Sequence, residues 1–172
     1  MAGLGMAEPA VTLSEAQAYV RIETGEEEAV VAGLIRTASA LCESFLNQVV
    51  VARPFTVDVG ASGGWERIPV TPVRAITEVS VDGVVLAAGD YSIDIDCSGD
   101  GWMRVGDSVS ASRVQVTGTA GLAASENEVP EPIRHGILRL VAHLFTTRDG
   151  EGGEPPAAVT ALWRPYRRMR LS

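Results

Sequence analysis

Apolar positions recur with a helical period at both ends of this chain and with a period of two in between. Leu13, Ala16 and Val20 share one helical face. Thr12 with Glu15 three residues on makes a capping box, in which hydroxyl and carboxylate satisfy two free backbone N–H groups. A first helix is therefore predicted over residues 12–22. Thr24 and Glu27 repeat the capping spacing and open a second helix over 25–48. Glu26, Glu27 and Glu28 fall in its first turn, where the helix dipole favours negative charge. Val30, Leu34, Leu41 and Phe45 follow at helical spacing, and Val31, Ile35, Ala38 and Cys42 widen the stripe. The helix should fade near Asn47, because Val49, Val50 and Val51 are β-branched and Pro54 cannot continue it.

From residue 55 to 118 the period becomes two. Short strands are predicted at Phe55–Val59, Trp65–Val70, Ile76–Val81, Val84–Leu86, Tyr91–Ile95, Trp102–Val105 and Arg113–Thr117. Asp82-Gly83 between two apolar runs is a two-residue hairpin turn, whose central positions both need positive φ. This region reads as a small antiparallel sheet or sandwich inserted between helices.

The last helix is predicted over 130–148. Pro130 and Pro132 suit its first turn, where a missing N–H costs nothing. Ile133, Ile137, Leu140, Val141, Leu144 and Phe145 form its apolar stripe. Residues 150–156, rich in Gly, Glu and Pro, read as a hinge. Beyond it lies an extended segment, 157–172, carrying Leu162, Trp163, Pro165, Tyr166, Arg167, Arg168 and Arg170. Trp, Tyr and Arg most often dominate interface energy, so this segment reads as an arm for a partner, against the alternative that it folds back on its own domain. The predicted organisation is α+β: a domain over 1–149, the hinge, and the arm. The first ten residues read as a loose leader.

Composition narrows the function. With 172 residues, 46% of them hydrophobic, the chain can bury one core without disulfides or metal. The net charge of −8 argues against a general nucleic-acid coat but suits a channel wall that must not hold a phosphate backbone. All basic residues are Arg. No apolar run suggests a membrane span, and the N-terminus lacks a secretory pattern. A cytoplasmic protein with reduced Cys42 and Cys97 is the expectation.

Candidate chemistry is sparse. His135 and His143 stand about 12 Å apart along a helix, too far to share one metal ion. Asp94, Asp96, Ser98 and Gly99 fit the first positions of a calcium loop, but Val105 occupies the position of its bidentate Glu; turn-capping acids between strands are the better account. No nucleophile elbow and no phosphate-binding Gly-Lys motif occurs. No enzyme, cofactor or metal is expected.

The order of these segments carries a resemblance. Thr12-Leu13-Ser14-Glu15-Ala16 opens the first helix and Gly25-Glu26-Glu27-Glu28 the second, which ends in Phe45-Leu46-Asn47. Trp65-Glu66-Arg67-Ile68-Pro69-Val70-Thr71-Pro72-Val73 leads to Val79-Ser80-Val81-Asp82-Gly83 and Tyr91-Ser92-Ile93-Asp94. Val116-Thr117-Gly118-Thr119-Ala120-Gly121 precedes Val129-Pro130-Glu131-Pro132-Ile133-Arg134, and the chain closes with Ala161-Leu162-Trp163-Arg164-Pro165-Tyr166-Arg167. From about Val11 to Arg168 this series resembles the phage head–tail connector (adaptor, or head-completion) proteins, including those of gene transfer agents. Thr71-Pro72-Val73 stands where the family usually has Pro-Pro-Val, and the hinge and basic end are less typical.

The resemblance implies a structural subunit of a homo-oligomeric ring, twelve-fold, docked beneath the portal protein in the neck of the virion after assembly in the bacterial cytoplasm. Such a ring extends the channel for double-stranded DNA, without sequence-specific binding, and offers a platform for stopper or tail proteins. It further implies that Leu162, Trp163, Pro165, Tyr166, Arg167, Arg168 and Arg170 engage the portal. The alternatives are another neck or tail-completion protein (a stopper or tail terminator), a small metal-dependent enzyme built on the acidic β loops, or a DNA-binding module using the Arg-rich end. Two long helical stripes count against the first of these.

Overall fold

The computed structural model describes residues 3–5, 8–22, 27–147 and 155–169. It has an α+β fold in two compact units, each assembled from separated stretches of chain: Met1–Glu8 with Val51–Ala124, and Pro9–Val50 with Ser125–Ser172.

The first unit is the β region. Strands β1 (Gly3–Leu4), β2 (Arg53–Gly60), β4 (Val73–Val81), β5 (Val84–Val85) and β8 (Arg113–Ala120) form one sheet in the order β1-β2-β8-β4-β5. Strands β3 (Glu66–Arg67), β6 (Tyr91–Ile95) and β7 (Gly101–Val105) form a second, ordered β3-β7-β6. Every strand pair is antiparallel. Period-two alternation gives the first sheet one buried face: Phe55, Val57 and Val59 lie opposite Gly118, Val116 and Val114. Gly118 is glycine because a side chain there would strike the Phe55 ring and the Ala75 carbonyl. Asp82 and Gly83 have φ of 49° and 81°, as the predicted hairpin turn requires. The strand predicted over Trp65–Val70 shrinks to Glu66–Arg67, and the leader predicted as loose contributes β1.

Among its described residues the second unit packs the α-helices α1 (Leu13–Val20), α2 (Glu28–Leu46), α3 (Glu131–Thr146) and α4 (Ala157–Trp163). The Thr12 capping box forms as predicted, with Glu15 N donating to Thr12 Oγ1 at 3.2 Å and Thr12 N to Glu15 Oε2 at 2.8 Å. α2 starts three residues later than predicted, and its N-cap is Glu27; Thr24 lies outside the described residues. It stops where Asn47 turns left-handed, at φ 55°. By length and composition α2 is apolar enough to cross a membrane, which the sequence reading did not anticipate. In the structure its Val31, Ile35, Ala38, Cys42 and Leu46 are buried, and it packs against α1, α3 and α4. Ile133, Ile137, Leu140 and Val141 of α3 complete this core, and Leu144 and Phe145 are half-buried.

Candidate functional site: the C-terminal segment

The segment expected to stand apart as an extended arm is neither extended nor apart. Residues 157–163 are helical, Arg164–Tyr166 make a 3-10 turn, and the whole lies against α2 and α3. The reason is Trp163, which is fully buried. Its Nε1 donates to the Ile133 carbonyl at 3.2 Å, a carbonyl with a second lone pair to spare. Its ring centroid lies 5.9 Å from that of Phe45. Gly136 sits directly beneath the indole, so any Cβ at that position would collide with it.

Past Trp163 the chain follows the end of α2. Arg168 N donates to Leu46 O at 3.0 Å. Gln48 Nε2 donates to Tyr166 O at 2.7 Å, and Asn47 Nδ2 to Arg168 O at 3.1 Å. The Arg167 guanidinium lies 5.2 Å over the Phe45 ring. The Arg167 guanidinium thus sits by the last turn of α2, at the negative end of its dipole. Pro165 and Arg167 are exposed, Leu162, Tyr166 and Arg168 are half-buried, and Met169 is 86% exposed. Arg170 and most of the predicted hinge lie outside the described residues. The structure therefore gathers the candidate residues into one seat but turns Trp163 inward. Phe45 and Ile133 were read from the sequence as apolar-stripe positions, not as a seat for Trp163, and Gly136 was not named; a glycine inside the stripe of the last helix was the available signal.

The remaining candidates do not converge. His135 meets Tyr19 edge-on at 6.1 Å between centroids. Asp96 Oδ1 accepts from Ser98 N at 2.8 Å and Asp100 N at 2.9 Å, the work of a turn-capping acid. Among the described residues no three His, Cys, Asp or Glu gather as metal ligands. Burial drives the Cys42 thiol far above its ordinary pKa, so the thiolate needed for reactivity is suppressed; Cys97 is exposed.

This α+β fold is similar to that of chains in solved structures of particle necks and a virion. No family model matches the chain, and no curated protein matches it in sequence. Among solved structures, it is similar to a chain in the neck of an empty GTA particle computed with C6 symmetry, with TM-score 0.78 and 23% identity over 100% of this chain and 97% of that one. It is also similar to a chain in the virion of a native gene transfer agent (GTA) particle, with TM-score 0.76 and 21% identity. A third, in the neck of a native GTA particle computed with C12 symmetry, has TM-score 0.73 and 21% identity. Both of these alignments also cover 100% of this chain and 97% of the other.

Proposed function

We propose that this chain is a ring-forming structural subunit of the neck of a tailed phage or gene transfer agent particle, with no catalytic role. The observation that carries this reading is the end-to-end fold match with chains of neck structures, C-terminal segment included. Symmetries of six and twelve in those structures support a ring of identical subunits, and twelve is the number we adopt. An adaptor of this kind sits under the portal, extends the DNA channel and receives stopper or tail proteins on its far side. The acidic balance of the chain suits a wall that lets DNA slide.

In this reading the outer residues of the C-terminal segment meet the portal: Leu162, Pro165, Tyr166, Arg167 and Arg168, with Arg170 following. Trp163 serves them from inside, by fixing the segment on α2 and α3. Electron microscopy of the purified chain, alone and mixed with its portal, tests the proposal. A ring, or ring density added beneath the portal, is expected. A chain that neither forms rings nor joins the portal refutes it.

A further inference from the structure

The outward face of the β3-β7-β6 sheet has an unusual composition. Met103 and Val105 turn inward and are buried. Strand register puts the alternate residues together on the opposite face in two rows. Arg67, Trp102 and Asp94 lie side by side across the three strands. In the next row Arg104 pairs with Ser92, and its guanidinium stacks 5.4 Å over the ring of Trp65. Trp65 is 48% exposed, Trp102 is half-buried, and Arg67 and Arg104 are exposed. Arg67 is steadied by Asp100 at 2.8 Å. Two of the three tryptophans in the protein thus stand with two arginines on one open sheet face.

We propose that this face is a self-association surface, taken by the acidic surface of a second copy of this chain. The inference rests on the ring reading above and names the contact between neighbouring subunits. Trp and Arg are the residues that most often carry interface energy, and guanidinium–indole pairs are preorganised for a carboxylate-bearing partner. The chain as a whole is acidic, at −8, so Arg104, held over Trp65 while Arg67 is paired with Asp100, is complementary to much of the rest of its own surface. The start of α2 supplies such a counterpart: Glu27 and Glu28 are exposed there, next to Val30, which is 42% exposed. Two different faces meeting head to tail is the geometry a ring requires.

The test uses the full chain. Sedimentation velocity over a concentration series, with electron microscopy of the assembled species, compares wild type with Trp65→Ser/Arg104→Glu and with Arg104→Glu/Glu28→Arg. These positions face solvent, and circular dichroism checks that each variant is folded. Wild type is expected to associate, with the emission of Trp65 moving to the blue as it leaves water. The first variant should associate at least tenfold more weakly, and the second, which restores opposite charges across the contact, should recover much of the loss. Rings that form equally well from the first variant overturn this inference and leave the ring reading standing. A wild-type chain that stays monomeric, free and on the portal, overturns both. Duplex DNA binding that the first variant abolishes, with self-association unchanged, assigns the face to DNA and overturns the inference as well.

Discussion

Trp163 carries more of this fold than any other single side chain near the C-terminus. It fills the space above Gly136, covers Phe45 and satisfies its own indole N–H. Trp163→Ala should cost about 3–5 kcal/mol, the usual range for deleting a buried large aromatic, read as a fall in the thermal midpoint; a change within about 0.5 kcal/mol would mean that the seat is not a core. From the sequence Trp163 read as part of an arm for a partner, since Trp often dominates interface energy. The sequence could not say whose surface buries it. Glu15 is a second residue of consequence. Its carboxyl pKa is lowered from 4.5, first by the Thr12 backbone N–H, then by the Thr12 hydroxyl and by Arg134, against the opposing effect of burial. A depressed carboxylate stabilises the fold above its unfolded pKa, and that contribution is lost as pH falls through the lower, folded value. Glu15→Gln should therefore lower stability near neutral pH and flatten the loss on acidification below about 4. Parallel acid-unfolding curves for the two proteins would rule this out.

Among the elements, the long periodic stretches were legible and the short ones were not. α2 and α3 came within three residues at each described end, because nineteen and sixteen residues repeat their stripe many times. β6 and β7 were legible from alternation alone, and so, in principle, was their shared face: Trp65 and Arg67, like Trp102 and Arg104, are spaced by two. α4 spans seven residues, too few for a period to declare itself, and prolines before and after it read as extended chain. Its docking revises what truncation should do. An arm would come off cleanly, whereas deleting residues 157–172 here removes Val159 and Trp163 from the core and opens Leu46 O, Asn47 and Gln48 to water. We expect the truncated chain to lose cooperative thermal unfolding or to melt well below the full chain. An unchanged melting curve would restore the detached arm.

At the scale of the whole molecule, each compact unit is built from two separated stretches, so the chain passes between units at residues 8–9, 50–51 and 124–125. The sequence predicted one domain of helices around a β region over 55–118, and the β unit takes in Val51–Ala124. It missed that the leader joins the β unit through pairing of Gly3 and Leu4 with β2, because a two-residue strand has no pattern to read. If the units are separate cooperative bodies, damage to one should stay there. Hydrogen exchange of the Trp163→Ala protein should then accelerate in α1, α2 and α3 while β2, β4 and β8 keep their protection. Uniform acceleration throughout would show a single cooperative body.

The position of Trp163, after α1, α2 and α3 in chain order, also sets a sequence in time. A ribosome delivers the chain from N- to C-terminus, so α1, α2, the β strands and α3 emerge before Trp163 is there to fill the seat formed by Ile133, Gly136 and Phe45. The helical unit is finished only when α4, the last of its helices in chain order, has emerged. A chain broken off before Trp163 is left with an apolar notch open to water, marked for chaperones and proteases. Synthesis therefore closes the helical unit late: only a chain that has reached Trp163 can fill its core.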